Sequence, residues 1–253
     1  AHGWSFADGV PQPWKYIYFH LEKIMSTRCH QIICVCNSDL TYARRLQVLS
    51  KSRGICIHNG MPDCPTNVIN SQRLNSFNRV KIVCVARFEP QKDHMILLKA
   101  LFLLKDLPWE LVLIGDGPLL DNAMKFCQSN ELLEKVSFLG RSSKVPSVLE
   151  SSDIFVLPSH WEGFPRSILE AMRSSLPIIA TNVGGVSESV LPGENGFLVN
   201  PGDLNGWHFA LQSLINDENM RCKFGRESRS LFLDNFTFEK MANKTYSVYR
   251  REC

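Results

Sequence analysis

No C-x-x-C pair occurs among the nine cysteines. Cys34 and Cys36 sit inside one apolar, strand-like run and Cys84 inside another, positions where cysteine serves as a small hydrophobe. A secretory leader and a starting Met are also lacking. The cysteines are therefore expected in a reducing cytosol, and the opening A-H-G-W suggests a chain entered partway through a domain. No apolar stretch is long enough for a membrane span. Excess charge of one sign is missing too: the net charge of +3 gives no case for a nucleic-acid partner. No G-x-G-x-x-G follows the first strand candidate of the long alternating region, which disfavours a dinucleotide-dependent oxidoreductase. Internal repeats and low-complexity tracts are absent.

What is present fits one large domain or two small ones. The chain has 253 residues, 44% of them apolar and 21% charged, enough for a sizeable core. The charge is unevenly placed. Residues 1–60 carry Lys15, Lys23, Arg28, Arg44, Arg45, Lys51 and Arg53 against Asp8, Glu22 and Asp39, or seven minus three, +4. Such a face suits an anionic membrane surface. It suits equally a solvated face, or one that meets a further segment.

From residue 80 onward strand-like and helix-like segments alternate. Strands are expected at Val80–Val85, Glu110–Ile114, Val136–Leu139, Ile154–Leu157, Ile178–Thr181 and Phe197–Val199, all short apolar runs. Helices are expected from Asp93, as N-cap, to Leu104, and over 119–128, 143–150, Pro165 onward, 218–232 and 236–249. Near-continuous apolar strands between helices indicate a doubly wound parallel sheet covered on both faces. Such sheets bind ligands beyond the carboxyl ends of their strands. Residues 1–60 differ in rhythm: an amphipathic helix over 14–26, a strand Ile32–Cys36, a helix from Ser38 through Leu49 and a strand Gly54–Ile57. Residues 61–78 are polar and thin in periodicity, as a linker would be.

The run E-G-F-P-R-S-I-L-E places Glu162 and Glu170 eight positions apart across a strand-to-helix turn. Pro165 suits the first helical position, and unpaired N–H groups at a helix start attract phosphate. Carboxylates accept paired hydrogen bonds from vicinal hydroxyls. Spacing alone leaves two readings open, a grip on a nucleotide-sugar or a solvated acidic helix. The other strand ends add Arg87 and Lys92, the turn G-D-G-P, Gly140 with Arg141, and Gly184, Gly185 and Glu188. Five polar loops on one sheet edge would build a single crevice.

The series A-R-F-E-P-Q-K-D, L-I-G-D-G-P, V-S-F-L-G, F-V-L-P-S-H-W-E-G-F-P-R-S-I-L-E-A-M, P-I-I-A-T-N-V-G-G-V-S-E and E-N-G-F-L-V resembles glycosyltransferase family 4. The resemblance covers about residues 75–235. It implies GT-B architecture, two Rossmann-like domains facing across a cleft, with the donor domain over 79–235 and a C-terminal helix over 236–253. Residues 1–60 would be the last part of the N-terminal acceptor domain, and 61–78 the linker. It implies retaining transfer of a sugar from a nucleotide-sugar, most readily a UDP-sugar, to a sugar or lipid-linked acceptor in bacterial surface polysaccharide or glycolipid synthesis. The enzyme would be cytoplasmic or peripheral at the inner membrane face.

The residue roles follow by the same resemblance. Arg87 and Lys92 match the pair that neutralises the donor diphosphate, and Gly163, Phe164 and Pro165 the backbone turn under it. Glu162 matches the carboxylate on the transferred sugar, and His2 a histidine beside donor sugar and acceptor. Glu170 matches the ribose-binding acid. Gly140 and Arg141 lie where backbone groups hold the base. No cofactor or metal is expected, since two cations and a helix start can stabilise the departing diphosphate and no D-x-D is available to hold an ion. The chain departs from the pattern in having little of the acceptor domain, including its glycine-rich phosphate loop. A donor-binding module with little or no catalysis, or a GT-B epimerase, are the alternatives.

Overall fold

The computed structural model describes residues 1–7, 10–63 and 79–252. Most of the expected linker, 64–78, lies outside them. The larger lobe is a six-stranded sheet, β3 (Val80–Val85), β4 (Trp109–Ile114), β5 (Val136–Phe138), β6 (Ile154–Leu157), β7 (Ile178–Thr181) and β8 (Gly196–Val199). Its order is β5-β4-β3-β6-β7-β8 and every pairing is parallel. The order in which strands are added reverses between β3 and β6, so the adjoining loops diverge and leave a crevice there.

The strands are mostly apolar because both faces are covered. Ile82 and Cys84 of β3 point into one core, with α3 (His94–Phe102), α4 (Leu120–Ser129) and α7 (Leu204–Asn216). Val83 points into the other, with α5 (Val145–Glu150) and α6 (Arg166–Arg173). The helix α8 (Glu218–Asn235) reaches both, through Phe224 and Phe232. Each fully buried Leu, Ile or Phe contributes about 1.5–3 kcal/mol.

The smaller lobe holds α1 (Trp14–Arg28), β1 (Ile32–Cys34), α2 (Asn37–Arg45) and β2 (Gly54–Cys56). β1 and β2 pair in parallel, Cys34 opposite Cys56, over a core of Trp4, Phe6, Leu40, Ala43, Val48 and Leu49. The helix α2 is shorter than expected: it begins at Asn37, and Cys36, not Ser38, is its N-cap. Gln47 takes a left-handed φ of 56° just beyond it. The helix α9 (Phe238–Glu252) returns to the lobe junction, where Met61 N–H donates to Phe236 O (3.0 Å) and Phe238 N–H to Met61 O (2.9 Å).

The helix α7 has no counterpart among the expectations. Asp203 caps it through Gly206 N–H (2.9 Å). Trp207, Ala210, Leu211 and Leu214 are all buried, an i, i+3, i+4, i+7 stripe. The stripe is legible once looked for; Gly206 and His208 near the helix start masked it.

Candidate active site

The carboxyl ends of the strands are stitched loop to loop. Gly115 N–H donates to Gly140 O (2.9 Å), Phe88 N–H to Asp116 O (2.8 Å), His160 N–H to Gln91 O (2.7 Å) and Gly185 N–H to Gly163 O (2.8 Å). Gln91 Nε2 donates to Trp161 O at 2.6 Å. These bonds hold one side of a cleft of about 1040 Å³ whose lining includes Glu162, Gly163 and Gly184 from the large lobe and His2, Ser38 and Thr41 from the small one.

Glu162 is a largely covered acid of this cleft, its side chain 9% exposed. One oxygen, Oε1, accepts from Ser159 Oγ at 2.7 Å and also pairs with Lys92 Nζ. Both partners converge on one oxygen, which leaves Oε2 for an incoming hydroxyl. Lys92 closes a 3-10 turn, Pro90–Lys92, set by Pro90 and by Asp93, which caps α3 through Ile96 N–H. Beside it, burial and then the Lys92 charge push the His94 imidazole down to about 4, so His94 is neutral at pH 7 and stacks on Phe88.

The other expected residues divide. His2 and Gly163 meet at the cleft: a Cβ on Gly163 would lie 3.5 Å from His2 O. His2 is placed by Ala1, whose backbone pairs with Ile33 O and Val35 N along the free edge of β1. Phe164 is 5% exposed, and its ring packs on His58 (4.7 Å) and Phe236 (5.4 Å). Only its backbone faces the turn. Pro165 is the N-cap of α6 and Arg166 the first helical residue, one position later than expected. Proline lacks an N–H and its side chain offers no cap, so the first N–H groups of α6 have no side-chain partner.

Glu170 is the fifth residue of α6, little more than one turn in, and half-buried. Its carboxylate accepts no hydrogen bond from a described residue. Burial raises its pKa, against the pull of Arg173 and Arg166. The Arg87 guanidinium, 64% exposed, pairs with Glu89 at 2.9 Å. Arg141 is 80% exposed and pairs with Asp116.

Residues to which sequence reasoning gave no role, or only a local one, complete the site. Ser159 is buried and orients Glu162. Asp93, besides capping α3, holds His160 Nε2 at 3.2 Å. Among the described residues Cys56, His58 and Glu188 are the group whose ligand atoms lie close together. Glu188 is already engaged there: its oxygens accept from Asn37 N–H (2.9 Å), Asn37 Nδ2 (2.8 Å) and Ser38 N–H (2.9 Å), and Oε2 lies 2.7 Å from His58 Nε2.

A six-stranded parallel sheet in this order, a second lobe and a cleft between them are features of the GT-B class of glycosyltransferase folds. The chain belongs to the family Glycosyl transferases group 1, whose match covers residues 69–231. It is 32% identical over 229 residues to an uncharacterized glycosyltransferase of Methanocaldococcus jannaschii, covering 90% of this chain and 61% of that protein. It is 28% identical to the UDP-Gal:alpha-D-GlcNAc-diphosphoundecaprenol alpha-1,3-galactosyltransferase of Escherichia coli, covering 98% of this chain and 67% of that protein. The fold matches Anabaena HepE, solved in complex with UDP-glucose, with a TM-score of 0.82 at 21% identity over 93% of this chain and 68% of that one. The chain thus spans roughly three fifths to two thirds of these relatives' lengths.

Proposed function

We propose that this chain binds a UDP-sugar and forms the donor side of a retaining hexosyltransferase of bacterial surface polysaccharide or glycolipid synthesis. The observation that carries the reading is the Lys92–Glu162–Ser159 cluster beside the uncapped start of α6. When a donor enters, its diphosphate takes up the ammonium of Lys92 and the first N–H groups of α6. Glu162 is released to the sugar hydroxyls. Arg87, now on Glu89 in the same loop as Lys92, is free to swing to the diphosphate, because an exposed ion pair is held by about 1 kcal/mol or less. Glu170 gains the ribose hydroxyls as partners, and the backbone at Gly140 and Arg141 holds the base. In this proposal the two cations and the helix start neutralise the leaving group without a metal.

Transfer follows from the charge pattern. The bond between the anomeric carbon and the β-phosphate oxygen breaks, leaving UDP. The acceptor hydroxyl, beside His2, attacks the same face, and its proton passes to the departing phosphate oxygen. Donors aimed at the developing anion are worth about 10²–10³-fold in rate each.

Titration calorimetry with UDP, UDP-glucose and UDP-galactose tests the donor site. Dissociation constants of about 1 mM or tighter are expected, and absence of heat at several-fold higher concentration would sink the proposal. A donor-binding module without turnover is the second reading. It is favoured by the two-stranded sheet that the described residues of the small lobe supply. Binding without transfer from labelled donor to lipid-linked acceptors would select it.

The acceptor side is further proposed to rest on an anionic bilayer. No helix among the described residues is long and apolar enough to cross a membrane. The helix α1 nevertheless exposes Trp14, Tyr16, Ile17, Leu21, Ile24 and Met25, with Lys15 and Lys23 on the same helix, a composition that suits the headgroup boundary. Flotation with phosphatidylglycerol vesicles is expected, and recovery in the pellet with both anionic and neutral vesicles would remove this element.

A further inference from the structure

Glu188 reaches out of the large lobe and ends on a helix of the small one. It closes a 3-10 turn, Val186–Glu188, just after the Gly184-Gly185 loop. Its carboxylate accepts the first two backbone N–H groups of α2, from Asn37 and Ser38, each at 2.9 Å. Those groups have a poor local alternative. The N-cap of α2 is Cys36, whose Sγ receives only Asp39 N–H, at 3.5 Å. Thiols are weak acceptors, where Ser, Thr, Asp or Asn is the usual cap. Helix start and dipole both favour a carboxylate here. Although burial works against its charge, the bonds from Asn37, His58 and Ser38 bring the Glu188 pKa down. Packing is close at the same point: a Cβ on Gly185 would lie 2.5 Å from Cys36 Cβ. The Gly184-Gly185 loop in turn backs Glu162 and Gly163, through Gly185 N–H to Gly163 O.

We propose that Glu188 is a positioning residue: it caps α2 from the opposite lobe, and so fixes the spacing of the two lobes across the donor cleft. This assignment rests on the donor reading only for its consequence, binding of a UDP-sugar. The lobe spacing itself is read without ligand.

The experiment compares Glu188→Gln with the double variant Cys36→Ser/Glu188→Gln. Gln keeps the size of the side chain but puts an NH₂ group against N–H donors. Cys36→Ser gives α2 its own cap. Hydrogen exchange of the amides at 37–40 is expected to rise about tenfold in Glu188→Gln and to recover in the double variant, with strands β3, β4 and β6 unchanged in both. Small-angle scattering is expected to show a more extended pair of lobes in both variants, because a self-capped helix no longer ties them together. Calorimetry is expected to show UDP binding about tenfold weaker in both. A double variant with native scattering overturns the proposal, since Glu188 would then be a local cap only. Unchanged scattering in Glu188→Gln overturns it too. If the unaltered chain fails to bind UDP, the donor reading falls, and scattering alone decides the role of Glu188.

Discussion

Lys92→Met is expected to cost both stability and donor binding, and a second substitution is expected to restore only the first. Glu162 is 9% exposed at its side chain and Lys92 is 17% exposed, so their charges are mostly out of water. Removing the ammonium leaves the carboxylate with Ser159 Oγ as its hydrogen-bond donor. An uncompensated, largely buried charge costs roughly 3 kcal/mol. Adding Glu162→Gln removes that charge, so urea denaturation of Lys92→Met/Glu162→Gln is expected to return most of the loss. Binding behaves differently. A charge-assisted contact to phosphate is worth about 1.5–3 kcal/mol, or roughly ten- to a hundredfold in affinity. The double variant still lacks it, so its UDP affinity stays low in calorimetry. Recovery of both properties together would mean that Lys92 acts on Glu162 alone and never meets the diphosphate.

The pair behind this result was only partly legible in the sequence. Lys92 and Glu162 lie 70 residues apart and on different loops; no local pattern joins them, and the expectation came from the order of six motifs. Strands β3, β6 and β7 have the expected bounds, because short apolar runs buried on two faces leave little latitude. Loops were harder, since a loop is decided by contacts distant in the chain. Ser159 is an unremarked serine until Glu162 is seen on it, and Glu188 gains meaning only from Asn37, about 150 residues earlier. Arg87 shows a local turn that the motif does not reveal. Glu89 N–H donates to Arg87 O (2.8 Å), and this turn buries Phe88 and brings the Arg87 guanidinium to Glu89. Cys36 as a helix cap runs against preference, and the conflict is resolved by a carboxylate from the other lobe.

Gly184→Ala is expected to lose about 2–4 kcal/mol of stability and to weaken donor binding, through the backbone of Glu162. Gly184 has a left-handed φ of +53°, which costs an L-residue about 1 kcal/mol. The larger penalty is spatial: a Cβ there would lie 1.8 Å from Glu162 O and 2.8 Å from Glu162 C. The obstacle is backbone, so no rotamer relieves it. Either the 184–188 loop retreats or Glu162 does. In the first case Gly185 N–H loses Gly163 O; in the second Glu162 leaves Lys92 and Ser159. Both enlarge the cleft at the wall that Glu162 forms. Gly193→Ala separates the two costs. Gly193 also has a positive φ, +80°, yet nothing lies within 4 Å of its Cβ position. That variant is expected to lose only the conformational part, about 1 kcal/mol, and to bind UDP normally. Equal losses for the two variants in urea denaturation would show that the loop yields without resistance, and that Gly184 does not hold Glu162 in place.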